Sequence, residues 1–218
     1  MKSGYPSFLE PNQVSALDLL VERLATASVH ERHFWATSWN WDYYAAPLQA
    51  IADRSDTALE TVAHIYWVGN AEEFLIQPAA AALASFDPGL RPDDATIFRT
   101  TMRQIETQDD PYFKQMRLGF GQLLATIVLK ANEGAYPRMG WELTSGSSFQ
   151  KDRARSLSGE LPFAFPSRLL GPFSGQPFDD APYRTRENLD LLEVFGVHWF
   201  ELDELPEAVQ DRIKRGTN

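Results

Sequence analysis

Along most of the first two thirds of this chain, apolar side chains recur every three or four positions, the period of a helix with one buried face. Val14, Leu17, Val21 and Leu24, with Glu22 and Arg23 between them, predict an amphipathic helix over roughly 12–28, with Asn12 as its cap. Val29 to Thr37 predicts a short second helical segment. Pro47 suits the first turn of a helix carrying Leu48 and Ile51. Thr57 and Glu60 read as a T-x-x-E capping box. The residues after them, Val62, Ala63, Ile65, Tyr66, Trp67 and Val68, are apolar almost all round and predict the buried centre of the domain. Gly69 is placed to end that helix in a left-handed C-cap, and Asn70 with Glu73 repeats the cap pattern ahead of Phe74 and Leu75. Pro78 predicts a fresh turn before the alanine run Ala79 to Ala82.

Two longer stripes follow. Pro92 opens one with Ala95, Phe98, Met102 and Ile105, where Asp93 and Asp94 suit the positive end of the helix dipole. Pro111 opens the other, with Asp109 or Asp110 as cap, Phe113, Met116, Phe120, Leu123 and Ile127 in line, and an end near Asn132 and Gly134. From Ser145 to Pro182 the chain is dense in Ser, Gly and Pro, yet Phe163, Phe165, Phe173 and Phe178 are spread through it, which predicts an ordered excursion lying across the helices. In the tail, Leu189, Leu192 and Phe195 fit a short helix, Val197 to Leu202 a short strand, and Pro206 to Ile213 a last helix. The fold expected is mainly α: an antiparallel helical bundle or short α-solenoid of about eight helices. It is read as a single domain, with a helical body over 1–140, a loop-rich excursion over 141–186 and C-terminal helices over 187–218.

Four of the six tryptophans fall between Trp35 and Trp67, a concentration that suits a packing cluster. Trp39 and Trp41, two apart, would point to opposite sides of a helix, which favours a turn in which Asn40 and Asp42 take up backbone N–H groups. The string W-N-W-D at Trp39 to Asp42, P-L-x-x-I at Pro47 to Ile51 and T-V-A-x-I-Y-W at Thr61 to Trp67 resembles a small bacterial family of unknown function with the pattern N-W-D, an Asp, then T-A-L-x-I-Y-W. The resemblance covers about a fifth of the chain. Val62 and Ala63 replace the Ala-Leu pair, Asp56 lies farther from Thr61 than the family's acid, and the cysteine often found beside it is missing. The resemblance implies no activity.

Charge changes the picture more than composition does. The net charge is −10, and it is divided unevenly: residues through Asp110 carry 16 acidic and 7 basic side chains, the remainder 14 and 13. An acidic surface disfavours nucleic acid and anionic membranes and favours a basic protein partner. There is no cysteine, which removes disulfides, thiolate metal sites and cysteine nucleophiles. No apolar run approaches the length of a membrane span or a signal peptide, so a cytoplasmic location is expected.

Candidate chemistry is sparse. His30 and His33 are three apart and could face a metal together, with His64 as a third ligand, but the H-E-x-x-H spacing is absent. Gly119-Phe120-Gly121 lacks the third glycine of a dinucleotide loop, and Ser145, Ser147 and Ser148 lack a G-x-S-x-G elbow. The function expected is therefore that of a non-enzymatic protein-binding domain, monomer or homodimer and without a cofactor. An immunity or antitoxin-like protein that occludes a basic partner with its acidic N-terminal half is the specific form. Its candidate binding residues are Trp39, Asn40, Trp41, Asp42, His64, Asp93, Asp94, Asp109 and Asp110. The alternative is a small-molecule enzyme, such as a metal-dependent hydrolase, using His64 with Asp42 or with His30 and His33.

Overall fold

The computed structural model describes residues 5, 9–40, 44–109, 111–143, 161–195 and 202–216. Among them are nine α-helices and no strand, so the fold is mainly α, as the periodicity predicts. The helices are α1 (Pro11–Thr26), α2 (Val29–Ser38), α3 (Ala46–Ala52), α4 (Leu59–Val68), α5 (Gln77–Ala84), α6 (Asp94–Glu106), α7 (Pro111–Asn132), α8 (Arg186–Phe195) and α9 (Glu207–Gly216). The expected strand at 197–201 lies outside the described residues, and Leu202 begins a 3-10 turn.

The long helix α7 is the axle of the body. It packs against α3, α4, α6 and the single π-helical turn Glu72–Ile76 that leads into α5. Gly121 permits the last of these contacts, because a Cβ there would come within 2.8 Å of the Phe74 carbonyl and 2.9 Å of Met102 Cε. Phe74 and Phe120 stack at 5.3 Å across the same seam. On the far side, α1 packs on α3 and on α9, and α2 packs on α4. One continuous apolar cluster runs from Leu17 and Leu24 through Trp35, Tyr66 and Leu124 to Phe195 and Ile213.

Helix α4 is as deeply placed as its all-round apolarity predicts, with only His64 and Val68 escaping full burial. Its start differs from expectation. Ala58 is the N-cap and receives no side-chain cap. Thr57 instead donates its hydroxyl to the Ile51 carbonyl at 2.6 Å, and the buried Glu60 carboxylate accepts the backbone N–H groups of Met139 and Gly140 at 3.1 and 3.0 Å. A distant loop thus captures the side chain that the local motif assigns to the helix end. The left-handed residue after α4 is Asn70, at φ 48°, while Gly69 has φ −72°. Helix α1 begins at Pro11, with Glu10 and Gln13 forming the reciprocal cap in place of Asn12. Asp93, not Pro92, sits at the start of α6, accepting the Thr96 N–H at 2.6 Å.

The described part of the excursion, 161–185, lies across the helical body as the spread phenylalanines predict. Phe163 meets Phe98 at 5.0 Å, Phe165 meets Tyr66 at 5.2 Å, and Phe173 meets Trp67 at 5.4 Å. Trp67 Nε1 donates to the Leu169 carbonyl at 3.1 Å, and Arg168 donates to the Tyr136 carbonyl at 2.7 Å. An isolated parallel bridge joins Trp141 to Gln176, where a Cβ on Gly175 would lie only 1.9 Å from the Gly140 carbonyl oxygen.

Candidate functional site

Buried polar side chains are concentrated where α2 meets α4. Arg32 and His33 on α2, Glu60 and Thr61 on α4 and Thr57 just before α4 are all buried within an otherwise apolar interior. The spacing explains the convergence: Thr61 and His64 are one turn apart on α4, as are His30 and His33 on α2, so each pair shares a face. His33 Nδ1 and Thr61 Oγ1 share a hydrogen bond of 2.9 Å. The His33 ring is walled by Trp141 at 4.4 Å and Phe178 at 4.5 Å, and the exposed His30 packs edge-on against Trp141 at 5.1 Å.

The electrostatics follow from that burial. Desolvation, with the neighbouring His64 and His30 adding to it, lowers His33 to about 3. Burial lowers His64 to about 4. Arg32 is 1% exposed and donates to the Ala27 carbonyl at 2.5 Å, while its other terminal nitrogen lies 3.0 Å from Asp56 Oδ1. Asp56 is held at about 2, first by its hydrogen bond from Arg54 and then by Arg32.

The structure therefore brings His30, His33 and His64 into one neighbourhood. Among the described residues, however, no group of three His, Asp or Glu side chains is arranged to hold a metal ion. His33 has one ring nitrogen committed to Thr61 and packs against the Trp141 and Phe178 rings, which also touch each other. An imidazole at about 3 or 4 is neutral at neutral pH and a weak proton acceptor there.

The other sequence candidates are dispersed. Trp39 is 5% exposed, donates its indole N–H to the Tyr44 carbonyl at 3.1 Å, and packs on Trp35 and Phe195. Asn40 follows the end of α2 and is half-buried. Trp41, Asp42 and Asp110 lie outside the described residues. Asp94 accepts the Ala164 N–H at 3.1 Å and so pins the excursion to α6. Asp109 is exposed beyond the other end of the 13-residue α6, about 20 Å from Asp93 and Asp94 by helix rise, so the acids of the two ends do not form one patch.

Arg32, Glu60, Thr61, Trp141 and Phe178 are the site residues that periodicity alone passes over. Their signal was available in part, as Arg32-His33 and Glu60-Thr61 interrupt two otherwise buried helical faces. Comparison with protein-family models, curated proteins and solved structures found no match. No helix among the described residues is long and apolar enough to cross a membrane.

Proposed function

We propose that this chain is a non-enzymatic binding domain that engages a basic protein partner through the surface of α1–α5, acting in the cytoplasm in the manner of an immunity or antitoxin-like protein. One observation carries the reading. Between residues 9 and 90 the only basic side chains are Arg23, Arg32 and Arg54, and each is already engaged by carboxylates. Arg23 reaches Glu31 at 3.1 Å and Glu187 at 2.9 Å, Arg32 reaches Asp56 at 3.0 Å, and Arg54 reaches the same carboxylate at 3.0 Å. Glu10, Glu22, Asp53 and Asp87 face solvent, and no cation between residues 9 and 90 is left to offset them. Such a field speeds encounter with a cationic surface and fixes its orientation.

The test begins with untagged protein from its native cell, analysed by native mass spectrometry at low salt. The expected result is a stoichiometric basic protein that dissociates as salt rises. Its association rate should fall several-fold in the combined variant Glu22→Gln, Asp53→Asn, Asp87→Asn, which leaves the acids at the ends of α6 untouched. A partner whose association is equally fast in that variant and at high salt would overturn the reading, as would a small molecule in place of a protein.

A further inference from the structure

The furrow between α6 and α7 differs in character from the acidic surface of α1–α5. It is an open groove of about 750 Å³ whose floor is made by Phe98 and Met102 from α6 and Leu118, Ala125 and Leu129 from α7. Three cations stand on its rim: Arg99 and Arg103, one turn apart on α6, and Lys114 on the α7 wall, with Glu106 the only acid lining it among the described residues. Arg99 spends one donor on Thr96 Oγ1 at 2.9 Å, and none of the three is in an ion pair among the described residues. In a chain of net charge −10, three such cations flanking one apolar floor call for an anionic complement.

We propose that this groove binds an acidic amphipathic helix of a partner protein, apolar face down and carboxylates outward. The groove follows α6 from Ala95 to Glu106, about three turns, which matches the i, i+4, i+7 anchors of a helix laid in a groove. Cations on both walls meet acids on both flanks of such a helix, and the arginine pair can take carboxylates one turn apart. A small amphiphile fits less well, because a groove open along its length does not enclose a ligand as small-molecule pockets do. The groove's cations stand on α6 and α7, whereas the proposed function rests on acids of α1–α5, so different substitutions test the two.

The probe is a synthetic amphipathic peptide of about four turns, with leucines at i, i+4, i+7 and glutamates on both flanks, titrated into the full chain and followed by backbone NMR shifts. Shifts should map to α6 and α7. The same peptide with lysine flanks should bind at least tenfold more weakly, and the variant Arg99→Glu, Arg103→Glu should reverse that preference. Because both arginines are exposed, the variant keeps its urea midpoint within error. Glu22→Gln, on α1, should leave peptide binding unchanged. Absence of binding, equal binding of the two peptides, or shifts outside α6 and α7 would overturn the proposal. Tighter binding of dodecanoate than of the peptide, with the same arginine dependence, would overturn it in favour of a small amphiphile.

Discussion

Glu60, at the start of a core helix, accepts the backbone N–H of Gly140, 80 positions later in the chain, at 3.0 Å. The other carboxylate oxygen takes the N–H of Met139 at 3.1 Å, so one buried side chain holds the loop that carries Trp141 against the histidines. Hydrogen bonds to a charged group contribute about 1.5–3 kcal/mol each. Glu60→Gln turns an amide N–H toward one of those donors and should cost about 2–3 kcal/mol in urea unfolding at constant slope. Amide exchange at Met139 and Gly140 should accelerate more than exchange in α7, and uniform acceleration would refute the local role.

Stability should fall as the solution is acidified through the histidine range. His33 and His64 are neutral in the folded chain, lowered to about 3 and about 4, whereas in the unfolded chain they take up protons near 6.5. The unfolded state then binds more protons, so their contribution is complete above pH 6.5 and is lost as the pH falls toward 4 and below. His33 alone should cost up to about 1.4 kcal/mol per pH unit in that window, and the half-exposed His64 less. Urea midpoints at pH 7.5 and 5 measure it, and His33→Asn, which keeps a polar atom toward Thr61, should flatten the dependence. An unchanged slope would show that the titrating group is another one.

The two arginines beside Asp56 should behave unlike each other. Arg32 is 1% exposed and Arg54 is exposed, although both lie 3.0 Å from the same carboxylate. Asp56→Asn leaves a buried cation without its counter-charge and should destabilise by about 2 kcal/mol, less than a fully enclosed pair because the acid is open to water. Arg54→Gln should leave the unfolding midpoint nearly unchanged. Combining Asp56→Asn with Arg32→Met should recover part of the loss, and strict additivity would count against the pair.

Gly175 and Gly140 should also part company. A methyl on Gly175 collides with the Gly140 carbonyl oxygen, whereas one on Gly140 meets nothing within 4 Å and suffers only from its φ of 76°. Gly175→Ala should cost about 2 kcal/mol or more and alter the near-ultraviolet signal of Trp141; Gly140→Ala should cost about 1–2 kcal/mol with that signal intact. Equal losses would mean that the close approach is dispensable.

The helices were legible because their signals are local. The stripe of α7 from Pro111 to Asn132, the second helix and the buried centre α4 could all be read from spacing. Caps were less legible because a cap motif names two side chains without naming their rivals. Thr57 and Glu60 satisfy the motif, yet the Ile51 carbonyl and the amides of Met139 and Gly140 hold them instead. The candidate site was half-legible. The three histidines could be nominated together, but that Trp141 and Phe178 would close over them depends on a chain return that no local pattern contains. Asp93 and Asp94, read as suiting the helix dipole and as candidate binding acids, each also accept a backbone amide, and Asp94's comes from the excursion, which no local pattern announces.

Arg23 reaches across 165 positions to the side-chain carbonyl of Asn188 at 2.6 Å, and Ala16 and Leu20 of α1 line one small cavity with Leu191 and Phe195 of α8 and Val209 of α9. Helix α1 is thus sealed by helices made some 165 residues after it. At roughly 5–20 residues per second, α1 waits on the order of ten seconds or more with that flank bare. A nascent chain halted before α8 leaves that flank uncovered, and the arrival of α8 and α9, not the early helices, sets the moment at which it is sealed.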